Sequence, residues 1–239
     1  MNVIELKDLK KIYRETEVEV RAVNGIDLTV AQGEFTAIVG PSGSGKTTLL
    51  NLIGGLDTPT EGDVVVDGTA LSQLSSSQLI DFRLRNIGFV FQSYNLIPVL
   101  TAEENVEFIM HLQGVDKIKR RERAKNLLTS VGLGDRINSR PSKLSGGQQQ
   151  RVAVARALAS HPKFVLADEP TANLDSKSTA TLLDIMLKLN KEEGVTFVFS
   201  THDQRVVQRA RRVITVEDGK VVSDVITKNG RKEMADSPQ

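Results

Sequence analysis

Gly40-Pro-Ser-Gly-Ser-Gly-Lys46-Thr47 is a glycine-rich run. It follows an apolar segment, Phe35-Thr-Ala-Ile-Val39, and leads into a helix-compatible one, Thr48 to Ile53. Pattern and context together predict a strand, a loop that cradles phosphate, and a helix. The strand must be buried in a parallel sheet, since its apolar residues run straight into the glycines without polar alternation. Glycines let successive backbone N–H groups curl around a polyphosphate, and the helix N-terminus adds a favourable field. Lys46 supplies a point charge for the β and γ phosphates, and Thr47 a hydroxyl for Mg²⁺. Gly40, Pro41, Ser42, Gly43, Ser44, Gly45 and Thr48 complete the candidate nucleotide contacts; the hydroxyls of Ser42 and Ser44 are equally able to cap backbone.

A second constellation lies downstream. Four apolar residues, Phe164 to Ala167, deliver Asp168 and Glu169 to the carboxyl end of a strand, where ligands bind in open α/β sheets. Asp168 suits an anchor for Mg²⁺, and Glu169 suits a carboxylate that orients and polarises an attacking water. Between the two lies Leu144-Ser-Gly-Gly-Gln148, whose small residues before a helix make an anion-binding shape.

The rest of the chain reads as one α/β domain over residues 1–227. Residues 3–8 suggest a first strand. Val18 to Val23 and Ile26 to Val30 alternate more cleanly, with Asn24-Gly25 between them as a turn, which is the pattern of an antiparallel sheet. Residues 62–68 and 87–91 read as strands, separated by a polar stretch rich in Ser and Gln. From Thr101 to Leu158 strand signals vanish and helical periodicity takes over, over 103–112, 119–131 and a segment through Val152, Ala155 and Leu158. Strand patterns return at 164–167 and 195–200 around a helix over 179–189, and Glu217-Asp-Gly219 marks a hairpin. The expected organisation is a core of residues 1–94 and 156–227 that includes an N-terminal antiparallel β subdomain, an α-helical subdomain inserted at 95–155, and a flexible tail at 228–239.

Composition narrows the function classes. Apolar residues at 39% suffice for a core. With 31 basic and 30 acidic side chains, nothing asks for a nucleic-acid face. There is no Cys, and the three His have no zinc spacing. The N-terminus lacks the apolar core of a signal peptide. No apolar run approaches the about 20 residues needed to span a bilayer. If such a chain serves a membrane process, the spanning part is expected to be another chain.

Taken together, the phosphate loop, Leu144-Ser-Gly-Gly-Gln148 and Asp168-Glu169 resemble those of the ATP-binding cassette ATPases, over about residues 3–225. The resemblance implies a phosphate-loop NTPase fold: a RecA-like mixed sheet with the antiparallel β subdomain and inserted helical subdomain. It implies ATP and Mg²⁺ as ligands. It makes Gln92 a Mg²⁺ contact that couples to the membrane partner, Tyr13 an aromatic stacked on adenine, Asp175 a dimer-loop residue and His202 a switch histidine. Lys46, Gln92, Glu169 and His202 would carry catalysis, with Thr47, Gln92 and Asp168 around the metal. Ser145, Gly146, Gly147 and Gln148 would hold the γ phosphate of ATP bound to a second copy, in an ATP-dependent homodimer. Taken singly, Gln92 and Asp175 are ordinary surface residues, His202 an ordinary structural histidine, and Tyr13 a residue able simply to pack on the first strand.

Residues 89–98 and 100–106, together with a first hairpin lengthened at Arg14 to Val18, are similar to the lipoprotein-releasing and macrolide-export branch. That likeness implies a transmembrane permease with an extracytoplasmic domain, periplasmic or outer-membrane export components, and a place on the cytoplasmic face of the inner membrane. Phe91, Tyr94, Leu96 and Ile97 are unusually apolar for a connector and are expected to form a groove for a permease helix, or else to seal the joint between core and lobe. Two rival functions compete. A soluble cassette ATPase of DNA repair or translation needs coiled-coil inserts or a second cassette, for which 239 residues leave no room. A nucleotide-gated regulatory subunit that binds ATP but barely hydrolyses it is at odds with intact Glu169 and His202.

Overall fold

The computed structural model describes residues 1–14 and 19–228. Residues 15–18 of the lengthened first hairpin and residues 229–239 of the expected tail therefore lie outside the described residues. Two sheets are present among them. Strands β1 (Asn2–Tyr13), β2 (Val20–Ala31), β4 (Glu61–Val66) and β5 (Thr69–Ala70) form an antiparallel sheet in the order β2-β1-β4-β5. Strands β3 (Phe35–Val39), β6 (Ile87–Val90), β7 (Phe164–Asp168), β8 (Thr196–Ser200), β9 (Arg212–Glu217) and β10 (Lys220–Ile226) form the second, in the order β10-β9-β3-β8-β7-β6. Only β10 runs antiparallel to its neighbour there.

The parallel strands are apolar throughout because both faces are covered. Along β8, Phe197 and Phe199 face one core while Val198 faces the other; Val165 and Ala167 of β7 likewise oppose Phe164 and Leu166. On one side α1 (Lys46–Ile53) lies between the two sheets, burying Leu49, Leu50, Leu52 and Ile53. On the other, α5 (Gly146–Leu158) and α6 (Ser176–Glu193) pack on Phe35, Phe197 and Phe199, whose rings meet at 4.6–5.9 Å. Helices α3 (Ala102–Leu112) and α4 (Lys117–Ser130) extend that core through Val106, Met110, Leu127 and Leu128. Helix α5 is unbroken across residue 155, where the core was expected to resume. No helix among the described residues is long and apolar enough to cross a membrane.

Two expectations fail for identifiable reasons. Asn24-Gly25 is not a turn: β2 passes through it, with Asn24 opposite Lys10 and Ile26 opposite Leu9. Asn-Gly makes a hairpin only when its flanking strands pair with each other, whereas here both halves pair with β1. Gly25 takes φ +75° and Asp8 φ +43°, and the glycine absorbs a register shift as a bulge. The polar Ser/Gln stretch contains α2 (Ser76–Asn86), which has no buried residue and hence no apolar stripe to reveal it. Its signal was the Ser75/Gln78 capping box. A further helix, α7 (Gln204–Arg209), is capped by Asp203.

Candidate nucleotide site

The phosphate loop leaves β3 and enters α1 as expected. Its shape is forced by close backbone approaches. A Cβ on Gly40 would lie 2.0 Å from the carbonyl oxygen of Val216, and one on Gly45 would lie 1.9 Å from that of Ala22. Both glycines also hold φ in the left-handed half of the map, at +152° and +98°. The loop is thus wedged between β9 and β2, and the β9–β10 turn closes over it: Gly219 donates its N–H to Ser44 O at 3.1 Å and accepts from Asn24 at 2.8 Å. Ser44 Oγ is buried with no hydrogen-bond partner, so it does not cap backbone. The Lys46 ammonium donates to the carbonyls of Gly40 at 3.0 Å and Pro41 at 2.8 Å.

Strand order does the rest. Because β8 lies between β3 and β7, their carboxyl ends bring three distant segments to one edge. Thr47 Oγ1 donates to Asp168 Oδ2 at 3.2 Å. His202 Nδ1 lies in hydrogen-bond contact with Glu169 Oε1 at 2.7 Å. Glu169 holds φ +45°, a conformation that costs a non-glycine residue about 1–3 kcal/mol, and its N–H is tied to Ser200 O at 2.9 Å. Next to His202, the Arg205 guanidinium draws the Asp203 carboxyl down to about 2, which keeps it an anion for the Thr171 hydroxyl, 2.8 Å away.

A cavity of about 1150 Å³ opens at this edge. It is lined by Tyr13, by Gly40, Pro41, Ser42, Gly43, Gly45, Lys46, Thr47 and Thr48 of the phosphate loop, and by Gln92, Glu169 and His202. Tyr13 sits at the wall with its hydroxyl donating to Asp57 Oδ2 at 2.8 Å, and the Lys11 ammonium lies 5.0 Å from its ring centre. The wall also uses Ala22, Asn24, Ser200, Asp218 and Gly219, none of them foreseen. The hairpin glycine was visible in sequence, but the crossing of β2 and the β9–β10 turn over the loop was not.

Ser145, Gly146, Gly147, Gln148 and Asp175 do not line this cavity. They meet one another elsewhere. Ser145 caps α5 in a box with Gln148, and a Cβ on Gly147 would press on Ser178 Oγ at 2.7 Å. That same hydroxyl donates to Asp175 Oδ2 at 2.9 Å. The Asp175 carboxyl is lowered chiefly by the N–H of Ser178, which it accepts as the cap of α6. Ser178 was missed, although Asp175 three residues before it is an N-cap spacing. Gln92 bridges the regions: its carbonyl accepts from Asn173 at 3.1 Å while the residue lines the cavity.

The expected permease groove needs correction. A groove of about 430 Å³ does exist, with Phe91, Ile97, Ile80, Leu84, Phe108 and Ile109 in its walls. Tyr94 and Leu96 are not among them. The Tyr94 hydroxyl lies 2.7 Å from where a Cβ on Gly146 would fall, and Leu96 packs into the helical core. The left-handed φ of Tyr94 and Asn95 turns the chain there, and Arg156 of α5 holds both carbonyls. Asn105, fully buried, organises the next turn by binding Ile97 N and the carbonyls of Ile97, Leu100 and Thr101.

Comparison with known proteins agrees with this fold. The model of the family described as "ABC transporter" matches residues 23–172. An uncharacterized ABC transporter ATP-binding protein of Thermotoga maritima is 51% identical over 92% of this chain and 93% of its own. The lipoprotein-releasing system ATP-binding protein LolD 1 of Caulobacter vibrioides is 47% identical over 94% of this chain and 96% of its own. The macrolide export ATP-binding/permease protein MacB of Hyphomonas neptunium is 48% identical over 98% of this chain, which spans 36% of that longer protein. Among solved structures, the dimeric ABC transporter cassette MJ0796 aligns with TM-score 0.86 at 44% identity, over 93% of this chain and 98% of its own; the same protein is known as a dimer bound to ADP and Pi. With its phosphate loop, acidic strand end and separate signature segment, Leu144 to Gln148, in one fold, this chain belongs to the ABC transporter family as an ATP-binding, ATP-hydrolysing cassette.

Proposed function

We propose that two copies of this chain close around ATP, each site completed by the signature segment of the other, and that the cycle drives a permease from the cytoplasmic face of the inner membrane. The observation that carries this is the division of the motifs. One cavity gathers Tyr13, the phosphate loop, Gln92, Glu169 and His202, while Ser145 to Gln148 and Asp175 lie outside its lining, with Gly147 and Asp175 meeting at Ser178. In this proposal Lys46 and the loop amides bind the β and γ phosphates. Glu169, held by His202, orients the water that attacks in line. Ser145, Gly146, Gly147 and Gln148 of the second copy stabilise charge developing on the γ phosphate.

The donor set fits Mg²⁺. Thr47, Gln92 and Asp168 offer hydroxyl, amide and carboxylate oxygens, the hard donors this cation prefers. No group of three or more His, Cys, Asp or Glu is assembled among the described residues. A few protein oxygens completed by substrate phosphates is how Mg²⁺ is usually held. Bound there, the cation would neutralise charge on the phosphates.

Lys46→Ala should weaken ATP binding by about 1.5–3 kcal/mol, roughly ten- to a hundredfold in Kd, because a charge-assisted contact to phosphate is removed. Titration of the variant with a fluorescent ATP analogue measures this, and an unchanged Kd would contradict the role given to Lys46. For the permease, the groove beside Gln92 is the proposed seat of a short amphipathic helix. Ile80 and Phe108 line it at 58% and 38% exposure, so serine at both positions should leave the fold intact. Such surface changes shift stability by about 0.5 kcal/mol or less. The double variant should keep its basal ATPase and lose co-purification with the permease. Retained co-purification would move the docking site elsewhere.

The cassette is proposed to work as a core of residues 1–94 and 156–227 against a helical lobe of 95–155. Its fit to the lipoprotein-releasing and macrolide-export relatives supports an export or mechanotransmission role over DNA repair, translation or passive nucleotide sensing.

A further inference from the structure

Two loops leave the sheet side by side at the ends of β7 and β8, and each sends a threonine hydroxyl to an acidic side chain of the other. Thr171 Oγ1 donates to Asp203 Oδ2 at 2.8 Å, and Thr201 Oγ1 donates to Glu169 Oε2 at 3.2 Å. Both threonines are fully buried. A threonine hydroxyl carries one proton and two lone pairs. The backbone N–H of Asp203 donates to Thr201 Oγ1 at 3.0 Å, which fills a lone pair and leaves the proton for Glu169. Thr201's own N–H donates to Ile38 O at 3.0 Å, two residues before the phosphate loop. The hydroxyl is therefore fixed against the loop on one side and aimed at the carboxylate on the other.

The opposite oxygen of that carboxylate is already engaged by His202 at 2.7 Å. One contact would leave the terminal torsion of a glutamate broad and roughly two-fold. Two contacts, one on each oxygen, define its plane. We propose that Thr201 is a positioning residue for ATP hydrolysis, its hydroxyl fixing the plane of the Glu169 carboxylate and so the direction from which that group engages the attacking water. The inference rests on Glu169 acting on that water, as set out above.

Thr201→Val keeps the branched shape and deletes the hydroxyl; Thr201→Ser keeps the hydroxyl. Steady-state ATPase of the full chain with Mg²⁺ should show kcat of Thr201→Val reduced about tenfold or more, on the scale by which misplaced catalytic groups lose rate. ATP Kd should stay within about twofold, since the phosphate-binding groups are untouched. Thr201→Ser should turn over close to wild type. In the Glu169→Gln background, Thr201→Val should change nothing further, because the carboxylate to be oriented is gone. A Thr201→Val chain with wild-type kcat overturns the proposal. So does one that loses ATP affinity and thermal stability together with kcat and is not restored by serine, which would make the contact structural. Failure of the Glu169 role itself shows separately, as wild-type turnover in the single Glu169→Gln variant.

Discussion

Glu169→Gln should hydrolyse ATP at least about a hundredfold more slowly than the wild type, the scale expected when a positioned acid–base group is lost, while binding ATP with unchanged Kd. The amide keeps the length and shape of the side chain, and the phosphate contacts proposed for Lys46 and the loop lie on a different element. What disappears is the charged acceptor proposed to face the water. Because hydrolysis then no longer breaks the ligand bridge between two copies, MgATP should also hold the variant as a dimer, since a ligand bound at the interface stabilises the assembled form. Single-turnover hydrolysis with light scattering, with and without MgATP, measures both. Wild-type turnover would remove Glu169 from the reaction, and a monomer at saturating MgATP would contradict a site shared between copies.

The second large effect is steric. Gly45→Ala places a Cβ 1.9 Å from the carbonyl oxygen of Ala22, at φ +98°. Backbone cannot yield there without parting the phosphate loop from β2. The left-handed conformation alone costs an L-residue about 1–2 kcal/mol, and the clash adds to it. Gly33→Ala is the matched control, with φ +79° and nothing within 4 Å of the added atom. At roughly 2–4 °C per kcal/mol for a chain of this size, Gly33→Ala should lower the melting temperature by a few degrees. Gly45→Ala should lower it clearly further and also abolish ATP binding, because the amides of the loop no longer converge. Equal melting temperatures for the two variants would show that the wedge against β2 is soft.

The chemistry of the site was legible because it is written in short spans. The phosphate loop is eight residues in which glycine freedom, one lysine and the Thr47 hydroxyl stand in sequence order, and Asp168-Glu169 follow directly from a buried strand. Helix starts were legible where a cap announced them, and overlooked where no apolar stripe accompanied the cap, as at α2. Asn24-Gly25 misled because the dipeptide reports only that the backbone can turn. Whether it makes a hairpin or a bulge depends on which strand lies opposite. Tyr94 and Leu96 left two readings open for a related reason: apolar residues in a connector must be covered, and the covering surface, here the protein's own signature helix and helical core, makes them a seal between core and lobe.

The sequence by itself determined the reaction class and the family and singled out the candidate phosphate loop, because each depends on local backbone geometry and on side-chain chemistry at fixed spacing. Tertiary structure alone decided how those pieces combine. The order β3-β8-β7 sets Lys46, Asp168-Glu169 and His202 at one edge although more than a hundred residues separate the first from the others. The fold also leaves Ser145 to Gln148 out of the lining of the cavity at that edge, and closes the β9–β10 turn over the phosphate loop. Strand order follows from burying both faces of the sheet at once, a sum over contacts distant in sequence that no local period encodes. The two threonine hydroxyls exchanged between the loops after β7 and β8 are a product of that order and of nothing nearer.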